Sequence, residues 1–199
     1  MGEGAEMLVE KLSIGDDEIT LGLTEAVNSK GLTKDQLLSL ASDSVDDFLA
    51  LQFFRADVTS GAGHVLSAAQ NAVNAWQGGY GKTRSLSMEF LVYSSAQRQI
   101  GRALEEMGVR DGMESVAIAV IGKDQSDIES CLKNLIEAIG TEADPMFEAS
   151  AERLQKVMTH FDIKINEIEA LTSSAKLEEK MSALTRCVAS RVSLVAFES

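Results

Sequence analysis

Apolar positions along this chain follow two periods, one of strands and one of helices. Met7–Ile14 alternates closely enough to predict a first strand, ending at Gly15-Asp16-Asp17. Thr33 followed by Gln36 predicts a capping box. Leu37, Leu38, Leu40, Ala41, Val45, Phe48 and Leu49 continue at helical spacing, so an acidic helix is expected from Thr33 to about Phe48. Leu51–Val58 is short, apolar and aromatic, which suits a strand. Ser60-Gly61-Ala62-Gly63 opens a helix whose core face is Val65, Ala68, Ala69, Ala72 and Ala75. Those alanines imply close packing against a sheet. Gly78-Gly79-Tyr80-Gly81 ends the helix and predicts a flexible loop.

Leu86–Tyr93 and Gln97–Met107 read as two successive helices, and Ser115–Ile121 as a buried strand. Ser126, with Glu129 three residues on, predicts the cap of a helix that carries Ile128, Leu132, Leu135 and Ile136 and stops at Gly140. Shorter helices are expected at Ala149–Met158 and Asn166–Leu171. The last helix runs from about Lys176 to Arg191, with Leu177, Met181, Leu184 and Val188 inward, and Val192–Phe197 follows as a final strand. That makes about four strands and seven or eight helices. Several helices run consecutively, so the expected fold is α+β: one domain over residues 1–199, with a small, mostly antiparallel sheet packed by helices.

The chain has 199 residues and 45% hydrophobic content, enough for one such core. Aromatics are 5%, so the core must be mainly aliphatic. One proline and 15 glycines argue against a low-complexity chain. The longest apolar runs, near Val116–Ile121 and Val192–Phe197, are strand-sized, so no membrane span is expected. The start, Met-Gly-Glu-Gly, lacks a basic-then-apolar leader, and Glu6 breaks the myristoylation pattern at Gly2. A cytoplasmic location is therefore expected. Cys131 and Cys187 read as small buried hydrophobes in a reducing compartment. With no CxxC and only His64 and His160 as imidazoles, neither a zinc site nor a cofactor is expected.

Net charge is −13 but unevenly spread. Residues 1–51 carry 3 basic and 11 acidic groups, and residues 105–199 carry 10 and 18, a balance of −8 in each. Residues 52–104 hold Arg55, Lys82, Arg84, Arg98 and Arg102 against Asp57 and Glu89, a balance of +3. Two readings stand: chance clustering, or an anion-binding face on an acidic body.

The tempting catalytic motifs are incomplete. Gly81-Lys82-Thr83 ends like a phosphate-binding P-loop, but the glycine required five residues earlier is Trp76, and a helix rather than a strand precedes it. Gly61-x-Gly63 opens a helix after a strand, yet the third glycine of a dinucleotide fingerprint is Leu66. Its turn still offers amides to an anion, with His64 beside it, so a small nucleotide- or phosphometabolite-binding enzyme is the alternative reading. The carboxylate clusters Asp16-Asp17-Glu18, Asp46-Asp47 and Glu105-Glu106 read as solvated surface.

Leu51–Asp57, Gly61–His64, Leu86–Tyr93, Gln97–Ile100 and Gly108–Gly112 together resemble the PRPK-binding-protein family, in a form of archaeal style. That family is the small regulatory subunit that docks on the kinase-like member of the KEOPS tRNA-modification complex. The resemblance is specific over roughly residues 51–121, looser from Phe161-Asp162-Ile163 onward, and broad over residues 1–50. The chain departs from the family pattern at Arg55, where an acidic residue is expected. The resemblance implies a non-catalytic subunit that binds the kinase-like ATPase and, through it, the other KEOPS subunits. It also implies help in recruiting tRNA by its 3′ CCA end for threonylcarbamoyladenosine formation. On that reading, the tRNA-binding candidates are Arg55, His64, Lys82, Arg84, Arg98 and Arg102, with Tyr80 and Tyr93 as stacking rings. The alternative for the arginines is solvation or pairing with acidic neighbours. Arg98 and Arg102, four apart, are expected on one helix face. The flank of the last helix, Lys180, Ala183, Cys187 and Arg191, is the expected contact with the kinase-like subunit.

Overall fold

The computed structural model describes residues 7–15 and 17–196. β1 (Leu8–Ile14) and β2 (Asp17–Val27) form a hairpin, followed by α1 (Lys34–Ser44) and β3 (Ala50–Arg55). A 3-10 turn (Ala56–Val58) leads into α2 (Ala62–Gln77), α3 (Leu86–Ser94) and α4 (Ile100–Met107). Then come β4 (Ser115–Gly122), α5 (Gln125–Ile139), the two-residue β5 (Thr141–Glu142), α6 (Ala151–His160), α7 (Ile165–Glu169) and α8 (Leu177–Leu194). The fold is single-domain α+β, with eight α-helices and five strands among the described residues.

The sheet order is β1-β2-β4-β3, antiparallel at every pairing, and β5 adds to the end of β2 at Ala26 and Val27. Side chains alternate faces along each strand. On β4, Val116, Ile118 and Val120 join Leu51 and Phe53 against α5 and Leu37 of α1. Ala117, Ala119 and Ile121 join Leu21, Leu23 and Phe54 against α2, α3 and α8. Helices cover both faces, so β4 is apolar throughout although its sheet is antiparallel. At Gly22 α5 comes so close to β2 that a Cβ would collide with Ile128 and Leu132. Gln70 of α2 bonds both the N–H and the C=O of Ser13, at 3.0 and 2.9 Å, and ties that helix to the edge strand.

Local signals held where the chemistry is local. Thr33 and Gln36 make both bonds of the capping box, though α1 stops at Ser44, short of Phe48. The expected cap at Ser126 is instead Asp124, whose carboxylate accepts the amides of Ser126 and Asp127. The long strand β2 was not among the expected elements, although Ile19, Leu21 and Leu23 alternate along it. The final strand at Val192–Phe197 does not form. α8 continues to Leu194 because Val188, Val192 and Val195 prolong its buried face at helical spacing. Phe197 lies outside the described residues. Among those described, no helix is long and apolar enough to cross a membrane.

Candidate nucleic-acid interface

In the link from α2 to α3, the amides from Gly78 to Thr83 are all hydrogen-bonded. Gly79 takes the left-handed conformation, φ +70°. Its N–H reaches Trp76 O (3.3 Å) and the Tyr80 N–H reaches Ala75 O (3.1 Å), the two bonds of a Schellman motif. The Gly81 N–H shares Ala75 O at 3.0 Å. The amides of Lys82 and Thr83 both donate to Glu89 Oε2, each at 2.9 Å. The loop expected to be flexible therefore has an acceptor for each of these amides. In the Gly81-Lys82-Thr83 segment, the two amides that would face a phosphate face a buried carboxylate of the protein itself.

Around this loop the surface is cationic and aromatic. Lys82 and Arg84 are exposed. Trp76 on the last turn of α2 is 45% exposed and Tyr80 is 52% exposed. Tyr93 is different: it is buried in the core under α3, and burial, with Tyr80 and Glu89 nearby, pushes its hydroxyl up to about 12. It cannot serve as a stacking ring, so Trp76 replaces it as the second exposed aromatic. Sequence reading missed Trp76 because its position served only as the failed glycine of a P-loop.

The other cationic candidates separate. Lys82 and Arg84 precede α3 and Arg98 follows it, across a nine-residue helix about 13 Å long. Arg98 and Arg102 are both exposed, but α4 begins at Ile100, so they do not share a helix face. Arg55 ends β3 and is nearly buried. Its Nε and Nη2 grip Asp57 at 3.1 and 2.9 Å, and its Nη1 donates to Glu106 O at 3.0 Å. Burial alone would raise the Asp57 carboxyl. The Arg55 hydrogen bond and charge, with Arg110 and Lys156, hold it below the usual carboxylate range. Arg55 thus spends its fork within the protein, at a charged cleft between the 3-10 turn and α6. Two adjoining cavities of about 440 and 670 Å³ share Asp57, Arg110, Glu152 and Lys156 there.

His64 also leaves the surface set. It is fully enclosed at the start of α2, edge-on to Phe161 with ring centroids 5.3 Å apart. Nδ1 accepts the Ser60 N–H at 3.4 Å, so the proton sits on Nε2, which donates to Ser94 O at 2.7 Å. Burial holds its pKa near 4, so the ring is neutral. Thr185 of α8 donates to Ser60 O at 2.7 Å and packs across the glycine turn. The Gly61–His64 turn is closed by protein, which removes the imidazole from the alternative phosphate-binding reading.

On α8 the expected interface splits in two. Ala183 is 0% exposed and Cys187 6%, both inside the core that α8 makes with α2 and α3. Lys180 is half-buried, and Arg191, also half-buried, donates to Glu167 of α7 at 2.7 Å. Ala183 and Cys187 therefore cannot face a partner. The small residues that suggested room for a helix across an interface make room for the protein's own α2.

Against known proteins, the chain has no match among curated sequences. A family model described as kinase binding protein CGI-121 matches residues 24–196. The match takes in β4, the α2–α3 loop, the charged cleft and α8, and the chain belongs to the kinase binding protein CGI-121 family.

Proposed function

We propose that this chain is a non-catalytic regulatory subunit that binds a kinase-like ATPase of KEOPS type and helps it engage tRNA for threonylcarbamoyladenosine formation. Membership of a kinase-binding family supports the partner. The tRNA role rests on one observation: Lys82 and Arg84 stand exposed in the same short segment as two exposed rings, Trp76 at the end of α2 and Tyr80 in the hydrogen-bonded loop, on an otherwise acidic chain. Cations supply the phosphate contacts that dominate affinity for RNA, and aromatic faces stack unpaired bases of any sequence. Such a pairing suits a single-stranded end, here the 3′ tail of tRNA. Arg98 and Arg102 extend the cationic surface beyond α3. For the kinase-like partner, the half-exposed Lys180 and the Glu167-paired Arg191 remain on α8 once Ala183 and Cys187 are removed.

Co-elution with the kinase-like subunit and tRNA-binding measurements on variants test this reading. The purified chain is expected to form a stable complex with the kinase-like subunit, seen by co-elution. The double variant K82E/R84E is expected to keep that complex and lose tRNA affinity, its log–log salt slope falling by about 1 per charge. Trp76→Ala is expected to cost about 1–3 kcal/mol if one base stacks there. Removal of the 3′ tail is expected to weaken binding to the wild type but not further to the double variant. Equal binding of intact and tailless tRNA by the wild type rules out this site.

A further inference from the structure

Glu89 lies in the first turn of α3 and is 1% exposed. A carboxylate so enclosed needs strong donors, and it has the two converging amides of Lys82 and Thr83. The Thr83 hydroxyl donates to Ser85 O at 2.9 Å, and the Ser85 hydroxyl caps α3 by accepting the Met88 amide at 3.2 Å. The end of the loop is thus hooked onto the start of α3. From Gly78 to Gly81 the loop amides find main-chain acceptors on α2. Beyond them, at Lys82 and Thr83, a single side chain takes over. Two successive amides aimed at one anionic oxygen form the same kind of nest that holds phosphates in other proteins. Here an internal carboxylate fills the nest, while the side chains of Lys82 and Arg84 stay exposed.

We propose that Glu89 is the positioning residue of the RNA-binding loop. It occupies the amide nest, and so holds the backbone of Lys82–Arg84 in an arrangement that offers both cations outward to a phosphate backbone. The inference rests on the tRNA reading above. Its physical content is preorganisation: a loop already ordered pays less to bind.

Glu89→Gln keeps the side-chain size and removes the charge, and Glu89→Ala removes the acceptor. Circular dichroism and binding to the kinase-like subunit identify the folded variants. In the full chain, trypsin is expected to cut at Lys82 and Arg84 faster in both variants than in wild type. Affinity for tRNA is expected to fall about tenfold with the salt slope unchanged, because the cations remain. In the K82E/R84E background, Glu89→Gln is expected to cause no further loss of tRNA affinity, a coupling that general destabilisation would not produce. An unchanged trypsin rate in the folded Gln variant overturns the latch. Faster cleavage with unchanged tRNA affinity overturns its role in presenting the cations. If K82E/R84E itself leaves tRNA affinity unchanged, the RNA reading of the loop fails, and the trypsin rate still reports on the latch separately.

Discussion

At the residue scale, His64 shows how burial turns a candidate ligand into a structural group. Its Nδ1 accepts from Ser60 and its Nε2 donates to Ser94, so only the neutral ring fits both bonds. Folding lowers its pKa from 6.5 to about 4. Between those values the unfolded chain binds the proton and the folded chain does not, so stability falls as pH drops through that window. The stabilising contribution is complete above about pH 6.5 and lost by about pH 4, for a total of about 3 kcal/mol. Urea unfolding between pH 7.5 and 4.5 is expected to show this loss. His64→Gln, which carries no titrating group, is expected to lower stability at pH 7.5 and to flatten its dependence on pH. The sequence could place His64 at a helix start but not say that Phe161, 97 positions on, would close over it.

At the element scale, α8 was legible as a helix and its inward stripe was legible too. Met181, Leu184 and Val188 are buried as expected, while Leu177, at the first position of the helix, is only half-buried. What the pattern hid is that the buried arc is wider and takes in Ala183 and Cys187. Small residues read equally well as a close approach to the protein's own helices or to a partner's. Ala183→Glu would bury a charge against α2, costing about 3 kcal/mol or more. Its expected outcome is a lowered Tm, with any loss of partner binding following the loss of folded protein. Lys180→Glu, at a half-exposed position, is expected to leave Tm within a degree or two and to report on docking alone. α2 shows the opposite case. Its alanine face and its glycine stop are both local signals, and both appear in the structure.

At the scale of the whole molecule, a largely buried ion pair ties α6 to the sheet. Arg153 of α6 donates to the carbonyls of Ala56 and Thr59 and to Glu25 of β2. Glu25, itself 3% exposed, also accepts the Ser115 hydroxyl at 2.7 Å and the Phe147 amide at 2.6 Å. Four parts of the chain, up to 128 positions apart, meet on this one carboxylate. Removing one partner of such a pair leaves the other charge buried, at a cost of about 3–5 kcal/mol. Arg153→Ala is expected to lower the urea midpoint accordingly with an unchanged m value, since the surface exposed on unfolding stays the same. A loss near zero would mean that the carbonyls and the Glu25 network do without the guanidinium.

The sequence by itself determined the features that depend on neighbours a few positions away. These are the Thr33 capping box, the glycine stop after α2, the apolar run of β4, the helical spacing of α5 and α8, and the positive balance of residues 52–104. They follow from dihedral preferences, periodicity and charge count, which need no distant partner. Only the tertiary structure decided which candidate residues face solvent. Arg55 and Asp57 are two positions apart in sequence, yet their pairing at a cleft depends on β3 ending beside α4 and α6. Tyr93 and Trp76 look alike as aromatic residues in helices, but one lies under the sheet-facing core and the other at its rim. Glu89 reads as one acidic residue among basic ones, and the two amides it accepts meet it only because the loop folds back over α3. Burial is a property of packing between distant segments. A chain whose helices carry small and apolar residues on several sides leaves the choice of inward face to that packing.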